Sequence, residues 1–589
     1  MMKDLSRRHY CEGNRNLDNS KHVLSNNDVL YEFKGFDITD ARSMDGAKLF
    51  EGFLCSEEFD SIKIETYSRR VQGKNAWEYT LLKNGKVCGT AYDYITNDGT
   101  FIREFNLATP IRFKLRLENG VTTYAPGIMV MKKGTPYVND YKTAEDVYFR
   151  FDGASTSICC YGQDTVYYLE RKSKMIICIN KDIEKLSSED EKEYNFTDFK
   201  VTNDAIKDIE EDAYYVHKSL TYKNGASLSA IPWNMCYVRD SFGMCRGYLS
   251  MNMFKETKDI LAFFNQNFME KQTIATAISL GNDKTLHIHE NDFSENTGYI
   301  IILAFLYLKY TNDVEFFNSL LPLLKMAYNG AKKLLVDGMM PFSGDETYVA
   351  GNLIPRVCVD EGSAEATLLF IESTKMLIPY LDENEKKEAK QLVDEATSKY
   401  KENFVVNNKI MANNPKRLIN ATLKETRKGV CPYCYSYGKT FLNKYKLYAC
   451  SNCINKDEDI RNHKQFYLTS VSLMPLYIDS LMFSKDELIK MYEEFAINLI
   501  DIYYNDKKTL TKISGYEYGL LLYGLVKLNS KYMHDIYKIC IKARDSEHAW
   551  SEYYIDGNCC GMRWRNWETG VNMLAIEAYI EYIKNENNT

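Results

Sequence analysis

The feature that most constrains this chain is a change of hydrophobic period near residue 200. From residue 28 to about 185, segments rich in β-branched and aromatic residues alternate with Asn-Gly, Asp-Gly and other glycine-containing turns, which is typical of β-strands. From about residue 203 onward, apolar residues recur at the i, i+3 and i+4 spacing of amphipathic helices. The chain has 589 residues, too many for one ordinary core. The sequence therefore predicts a multidomain protein, with a β region followed by an all-helical region.

The helical region divides into twelve segments by its apolar spacing. They are 203–219, 240–250, 253–270, 295–310, 313–336, 361–380, 384–404, 470–484, 485–504, 515–529, 531–545 and 567–586. Twelve helices in alternating pairs favour a ring of six hairpins, an (α/α)6 barrel with an inner and an outer layer. If the even-numbered helices are the inner ones, the loops before them meet at one rim. Those loops centre on residues 231–239, 281–294, 338–360, 406–469, 505–514 and 546–566.

These patterns predict four parts of the chain. Residues 1–27 are an N-terminal extension, 28–200 a β-sandwich domain and 203–589 the (α/α)6 barrel. Residues 414–465 are a small insertion within the barrel, rich in cysteine and basic residues.

The predicted rim collects aromatic and polar residues of the kind that line ligand pockets. Four of the five tryptophans fall in the rim loops or at their ends: Trp233, Trp550, Trp564 and Trp567. The Arg239–Asp240 pair lies at the same rim. We therefore predict an aromatic-lined pocket with a few polar groups there.

The loop around 281–294 contains the segment HIHEND. We expect His289, Asn291 and Asp292, together with Glu290, to form hydrogen bonds with a polar ligand. Metal ligation by His287, His289 and Asp292 is the alternative.

Two rim loops each offer a carboxylate suited to acid–base chemistry. Glu346 lies in PFSGDETYVAG beside Asp345 and Tyr348, and Glu552 lies in AWSEYYIDG. Glycoside hydrolysis needs two carboxyl groups across the scissile bond, one donating a proton and the other activating water or attacking the sugar. Burial beside Tyr348 and the pocket tryptophans would raise the pKa of the acid toward neutrality.

Each of these choices has competitors among nearby acids. Asp345 is the alternative acid, while Glu547 and Glu568 are alternatives to Glu552 as the base. Glu361 and Glu365 are interpreted as helix-start charges that interact with the N-terminal dipole.

One stretch resembles a known family. The segment IPWNMCYVRDSFGMCRGYL resembles the Trp…Arg-Asp-Ser segment of glucoamylase-like enzymes, glycoside hydrolase family 15, in the six-hairpin glycosidase group. The resemblance implies an (α/α)6 barrel behind an N-terminal β-sandwich, and cleavage of α-glucosidic bonds from chain ends with inversion.

The resemblance also implies roles for particular residues. Glu346 would be the general acid and Glu552 the general base. Arg239 and Asp240 would grip the terminal sugar, and Trp233 would form an aromatic wall. The acid segment departs from the family's Trp-Glu pattern, and the base segment reads Ser-Glu-Tyr instead of Glu-Gln.

The inserted segment carries the strongest short motif of the chain. Four cysteines form C-x2-C-x15-C-x2-C, a spacing that gives four thiolates for tetrahedral Zn²⁺: Cys431, Cys434, Cys450 and Cys453. We predict a structural zinc ribbon, since four sulfur ligands leave no open position for catalysis. A redox pair is the alternative.

Charge and composition narrow the classes of partner. The net charge is −7 and the pI about 5.8, so we expect no general nucleic-acid binding. The N-terminus lacks an apolar signal segment and no apolar run is long enough to span a bilayer, so we expect a cytoplasmic protein without a membrane partner.

The sequence thus predicts a glycosidase acting on an oligosaccharide or sugar conjugate. A sugar phosphorylase on the same barrel is the first alternative. A non-catalytic carbohydrate- or nucleic-acid-binding protein that uses the ribbon is the second, and a homo-oligomer is left open.

Overall fold

The computed structural model of the chain describes most of its residues. They are 21–43, 48–51, 53–56, 58–59, 62–117, 121–125, 128–131, 147–156, 164–179, 191–231, 235–280, 284–288, 291–342, 362–406, 409–410, 426–431, 437–444, 448–457, 469–507, 512–545 and 547–587.

Two antiparallel sheets occupy the first part of the chain. The smaller sheet has the order β1-β2-β3-β4. Its strands are β1 (Lys21–Ser25), β2 (Val29–Lys34), β3 (Asp37–Ser43) and β4 (Lys48–Glu51). The larger sheet has eleven strands among the described residues. They are β5 (Phe53–Ser56), β6 (Glu58–Phe59), β7 (Ile62–Arg70), β8 (Ala76–Lys83), β9 (Lys86–Ile95), β10 (Phe101–Leu107), β11 (Ile111–Leu117), β12 (Val121–Ala125), β13 (Ile128–Met131), β14 (Val147–Thr156) and β15 (Asp164–Ile179).

The path through the larger sheet is β12-β13-β14-β15-β10-β9-β8-β7-β6, while β11 pairs with β15 and β5. Aromatic side chains join the two sheets. The ring of His22 in β1 stacks on Trp77 in β8 with centroids 3.8 Å apart, and Tyr31 in β2 contacts Phe101 in β10 at 5.3 Å. Trp77, Tyr31 and Phe101 belong to one hydrophobic core. The predicted β-rich N-terminal region is confirmed.

Twelve α-helices follow among the described residues, and each of the twelve predicted segments overlaps one of them. They are α1 (Lys207–Ser219), α2 (Val238–Ser250), α3 (Phe254–Lys271), α4 (Glu295–Thr311), α5 (Val314–Ala331), α6 (Ala364–Leu377), α7 (Glu383–Phe404), α8 (Thr469–Tyr477), α9 (Lys485–Tyr504), α10 (Glu517–Leu528), α11 (Met533–Lys542) and α12 (Asn566–Asn587).

The largest departure from the predicted bounds is at α8, which ends at Tyr477 instead of residue 484. Ser484 belongs to the next helix, because its side chain accepts the amide of Glu487 in a capping box.

The six even-numbered helices contact one another in a closed cycle. Helix α2 packs against α4, α4 against α6, α6 against α8, α8 against α10, α10 against α12, and α12 returns to α2. Gly247 and Gly570 allow the closing contact, since a Cβ at Gly247 would lie 2.5 Å from the Cα of Gly570. The odd-numbered helices pack on the outside of neighbouring even ones, for example α1 on α12 and α11 on α10 and α12.

Short strands connect several of these helices. They are β16 (Met235–Tyr237), β17 (Ala277–Ser279), β18 (Leu286–His287), β19 (Val405–Val406), β20 (Lys409–Ile410), β21 (Thr426–Val430), β22 (Tyr437–Leu442), β23 (Tyr448–Cys450), β24 (Lys512–Ser514), β25 (Tyr553–Ile555) and β26 (Asn558–Cys560). In the part of the chain that the structure describes, no helix has both the length and the apolar character needed to cross a membrane.

Candidate active site

A cavity opens at the centre of the helical ring, and every even-numbered helix contributes to it. The lining residues are Arg239 and Phe242 of α2, Tyr299 of α4, Glu365 of α6, Met474 and Tyr477 of α8, Leu520 of α10 with Tyr516 just before it, and Trp567 of α12. Most of these residues lie in the first two turns of their helices. The N-terminal ends of the even helices therefore meet around one space, as expected if the rim loops converge.

Charged groups lie in pairs around this cavity. Nη1 of Arg239 is 2.9 Å from Oε1 of Glu295, and both side chains are buried. The hydroxyl of Tyr299 donates to Oε1 of Glu365 at 2.5 Å. Both acids stand in the first turn of a helix, where the helix dipole stabilises a negative charge.

A second charged group lies where α2 meets α12. Nε of Arg565 is 2.9 Å from Oε2 of Glu568, and its Nη2 is 3.8 Å from Oδ1 of Asp240. The other oxygen of Asp240 accepts the hydroxyl of Ser229 at 2.8 Å. Arg239 and Asp240, adjacent in sequence, thus join two different charged groups at the same end of the ring.

Burial sets the protonation of this second group. Burial is the main cause that raises the pKa of Glu568, Arg565 lowers it, and the charges of Asp240 and Glu552 raise it, which brings the pKa to about 7. A carboxyl with a pKa near neutrality beside an arginine is the kind of perturbed group that functional sites accumulate.

Aromatic rings form an apolar wall beside the charges. Tyr516 and Trp567 stack with centroids 4.2 Å apart and an interplanar angle of 9°. The guanidinium of Arg239 lies 5.4 Å from the Trp567 ring. Stacked rings next to hydrogen-bonding groups suit a ligand with both C–H faces and hydroxyls.

Glu552 lies in the loop between α11 and α12, immediately before β25. Its Oε2 accepts the amide of Met562 at 3.0 Å, and its backbone carbonyl accepts the amide of Gly515 at 2.8 Å. Only glycine allows this approach, because a Cβ at Gly515 would lie 1.9 Å from the carbonyl oxygen of Ser551. Half-buried Glu552 is therefore held against the end of β24, close enough for its charge to raise the pKa of Glu568.

The fold is similar to that of a bacterial glucoamylase. The structure of that enzyme, complexed with acarbose, matches with a TM-score of 0.61 at 10% sequence identity, over 96% of this chain and 94% of the other. A rhamnosidase from Klebsiella oxytoca with rhamnose bound matches with a TM-score of 0.45 at 8% identity, over 97% of this chain and 98% of the other. This TM-score is too low to establish a shared fold. Neither a protein-family model nor a curated protein matches the sequence. The comparison establishes a glucoamylase-like fold.

Two other predicted tryptophans, Trp550 and Trp564, lie outside the cavity lining. Trp550 is 1% exposed and its Nε1 donates to the carbonyl of Cys540. Trp564 is 2% exposed and its Nε1 donates to Oγ of Ser219 at 2.8 Å. Of the described rim tryptophans, Trp567 lines the cavity.

The loop before α4 is tied to the start of the predicted acid loop. Nδ2 of Asn291 donates to the carbonyl of Phe342 at 2.8 Å, and Ser294 donates to the carbonyl of Pro341. Asp292 is buried and accepts the hydroxyl of Thr276 at 2.5 Å. The remaining predicted site residues lie outside the described residues: Trp233, His289, Asp345, Glu346 and Tyr348.

Sequence reasoning missed Tyr299, Glu295, Tyr516 and Arg565, and it treated Glu365 only as a helix-start charge. The position of the acids gave no signal. Five of the six even helices carry an acid in the first turn, but each odd helix does so as well. The helix dipole favours an acid at this position in any helix.

Three of the four predicted zinc ligands come together in the structure. The sulfur atoms of Cys431, Cys450 and Cys453 lie within 4.8 Å of one another. The carbonyl of Cys450 accepts the amides of Cys453 and Ile454, both at 2.9 Å, which forms a tight turn between the two thiols. Sulfur ligands about 2.3 Å from a tetrahedral ion fit this spacing. Cys434 lies outside the described residues.

Proposed function

We propose that this chain is a glycoside hydrolase that cleaves a glycosidic bond at the end of an oligosaccharide or sugar conjugate, α-glucosidic and with inversion. The observation that carries the proposal is the central cavity, which residues of all six even helices line and where Arg239, Glu365 and a stacked Tyr516–Trp567 wall converge. The fold's similarity to a glucoamylase supports the same class of reaction. Phe242 and Tyr299, one turn into their helices, line the cavity.

The sugar-binding roles follow from the charged pairs. Arg239 and Asp240 would hydrogen-bond to the hydroxyls of the terminal sugar, and Trp567 would contact its C–H face. Because Arg239 is paired with Glu295 and Arg565 with Glu568, their donors are fixed before a ligand arrives. Trp233, Tyr348, His289, Asn291, Asp292 and Asp345 would complete the walls from the adjoining loops, with Trp550 and Trp564 supporting them from behind.

The chemistry is assigned to two carboxyl groups. Glu346 would donate its proton to the glycosidic oxygen, and Glu552 would accept a proton from the water that attacks the anomeric carbon. Inversion requires the two carboxyl groups to be roughly 6.5–9.5 Å apart, which leaves room for that water. The amide of Met562, which donates to Oε2 of Glu552, would hold the carboxylate of the base in one orientation.

Replacing the proposed base tests the assignment. Glu552→Gln keeps the shape of the side chain but removes its basicity. We expect the turnover of maltooligosaccharides and aryl glucosides to fall by at least about 100-fold, the scale of general acid–base catalysis. Asp556→Asn is the matched control in the same loop, since Asp556 occupies a hairpin turn with φ of 50° that asparagine also adopts.

Substrate and mechanism are read in the same assay. A panel of α- and β-linked glucosides is incubated with and without phosphate, and reducing sugar, sugar phosphate and the anomer formed are measured. Unchanged hydrolysis by Glu552→Gln would refute the base. Sugar phosphate as the main product would identify a phosphorylase instead.

We further propose the domain division that this function implies. The β-sandwich domain predicted for 28–200 begins earlier, because β1 (Lys21–Ser25) lies within the predicted extension 1–27 and pairs with β2. Residues 203–589 form an (α/α)6 barrel of the six-hairpin, family 15 type. Residues 414–465 are a zinc ribbon within it. Cys431, Cys434, Cys450 and Cys453 would bind one structural Zn²⁺, which would stiffen the long loop before α8.

Zinc content tests the ribbon. We expect one zinc per chain by elemental analysis of the purified protein, falling to below about 0.2 in Cys453→Ser, because three thiolates bind Zn²⁺ much more weakly than four. Cys245→Ser is the control, since Cys245 is buried in α2. Metal-free protein with four reduced thiols would contradict the zinc ribbon.

A further inference from the structure

The loop that carries Glu552 contains three non-glycine residues in the left-handed backbone region. They are His548 with φ of 64°, Asp556 with φ of 50° and Trp564 with φ of 55°. Asp556 and Gly557 form the turn between β25 and β26, where this conformation is common. A bulky residue such as tryptophan rarely adopts it and must be held there by its surroundings.

The N-terminal sheets hold Trp564. Trp77 of β8 packs edge-on against Trp564 with centroids 5.7 Å apart, and both rings are almost fully buried. His22 backs Trp77 from the other side, with Nε2 of the imidazole 2.8 Å from the hydroxyl of Tyr79. The strained backbone at Trp564 is therefore clamped between the β region and Ser219 of α1.

The same sheet holds the start of the loop. Oγ of Ser68 in β7 donates to Oε1 of Glu547 at 3.0 Å. Nη2 of Arg70, also in β7, is 2.7 Å from Oδ1 of Asp212 in α1. The other oxygen of Asp212 is 3.1 Å from Nδ1 of His548. Both non-turn left-handed residues of the loop thus rest, directly or through one carboxylate, on strands β7 and β8.

Residues next to Trp564 form the contacts that orient the site. Met562, two residues before it, donates its amide to the Glu552 carboxylate. Arg563 donates to Oγ of Ser551 at 2.6 Å, and Arg565 pairs with Glu568. A change of backbone angle at Trp564 would move these three neighbours together.

We propose that Trp77, Ser68 and Arg70 of the N-terminal sheets are positioning residues. They hold the loop that carries Glu552 so that His548 and Trp564 keep their left-handed backbone conformation. This inference rests on the proposed function for its kinetic consequence only. The structural consequence, which is the protection of the Met562 amide from exchange, does not depend on the reaction that the cavity performs.

The test compares two large-to-small substitutions in the same β core. Trp77→Ala removes the ring that packs against Trp564. Phe101→Ala removes a fully buried ring that contacts Tyr31 and Phe33 but not the loop. Hydrogen–deuterium exchange of the full-length protein is measured by mass spectrometry on the peptide that carries Met562.

We expect this peptide to exchange about tenfold faster in Trp77→Ala than in Phe101→Ala, the scale of one aromatic pair. Trp77→Phe should restore most of the protection. If Trp77→Ala does not fold, Arg70→Gln releases Asp212 and His548 and should give the same change in smaller measure.

Kinetics add the functional readout. We expect kcat of Trp77→Ala to fall about tenfold with a smaller change in KM, and Phe101→Ala to keep the wild-type kcat per folded molecule. Equal exchange of the Met562 peptide in the two alanine variants would overturn the proposed positioning role of Trp77. If Trp77→Ala exchanges faster but the wild-type protein hydrolyses no glycoside, the proposed function is overturned and the positioning role of Trp77 is retained.

Discussion

The two halves of the molecule each bury an arginine against a carboxylate, but the two pairs differ in what surrounds them. In the β region, Arg103 binds Asp93 through two hydrogen bonds of 2.7 and 2.6 Å, and both side chains are 0% exposed. The Phe36 ring covers the Arg103 guanidinium at 3.7 Å. In the helical region, Arg239 and Glu295 are also buried but Arg239 lines a cavity.

The difference separates two roles of a buried ion pair, one in stability and one in ligand binding. The Arg103–Asp93 pair lies inside the β core, where the rings of Phe36, Tyr79 and Phe101 surround the guanidinium. The pair at the cavity offers donors and acceptors to an incoming molecule. A buried pair is a weak source of stability in itself, but losing one partner leaves an expensive uncompensated charge. We therefore expect damage to stability in the first region and to ligand binding in the second.

Breaking the sealed pair should have the largest effect. Asp93→Ala leaves Arg103 buried without a partner, and we expect the free energy of unfolding in urea to fall by about 3–5 kcal/mol. The double variant Asp93→Leu/Arg103→Met should recover most of that loss, because both charges are gone. A single variant as stable as the wild type would show that water reaches this pair.

The buried carboxyl group of Glu568, which is paired with Arg565, should give the next largest effect, and it should depend on pH. The pKa of Glu568 is about 7 in the folded chain and near 4.5 when unfolded. The folded state therefore holds this proton to a higher pH than the unfolded state does. One pKa unit corresponds to about 1.4 kcal/mol, so the stability contributed by the protonated form falls by about 3 kcal/mol as pH rises from 4.5 to 7.

Glu568→Gln tests this contribution, because glutamine has no proton to lose. We expect the variant to lose less stability than the wild type between pH 5 and pH 8 in urea unfolding. Identical pH slopes for the two proteins would assign Glu568 an ordinary pKa.

The smallest effect is expected from the Arg239–Glu295 pair beside the cavity. Arg239→Met removes a donor that we place on the terminal sugar, and kcat/KM should fall roughly 30-fold, corresponding to about 2 kcal/mol for a charged hydrogen bond. Arg239→Lys keeps the charge but not the paired donors and should recover only part of the loss. An unchanged kcat/KM would place Arg239 outside the sugar site.

Much of the fold was predictable because local physics sets it. Helix bounds follow from apolar spacing and from caps such as Ser363, whose side chain accepts the amide of Ala366. The end of α8 was misplaced because Ser484 caps the following helix. The closed cycle of even helices was anticipated from the number of helices alone.

The site was predictable only in part. Arg239, Asp240 and Trp567 were predicted from rim loops and lie at the cavity or against it. Tyr299 and Tyr516 were missed because each reads as one more aromatic residue in an apolar helix or turn. Their role appears only once six helices bring their first turns to one space. Trp550 and Trp564, predicted for the pocket, are instead buried beside it.

The sequence by itself determined the two periods, the twelve helices and the cysteine spacing, because each depends on residues within a few turns or strands of one another. Only the tertiary structure decided which acids share a cavity and that Trp77 in the β region contacts Trp564, nearly 500 residues away. These contacts depend on how whole sheets and helices pack, and neither hydrophobic spacing nor turn chemistry encodes that packing locally.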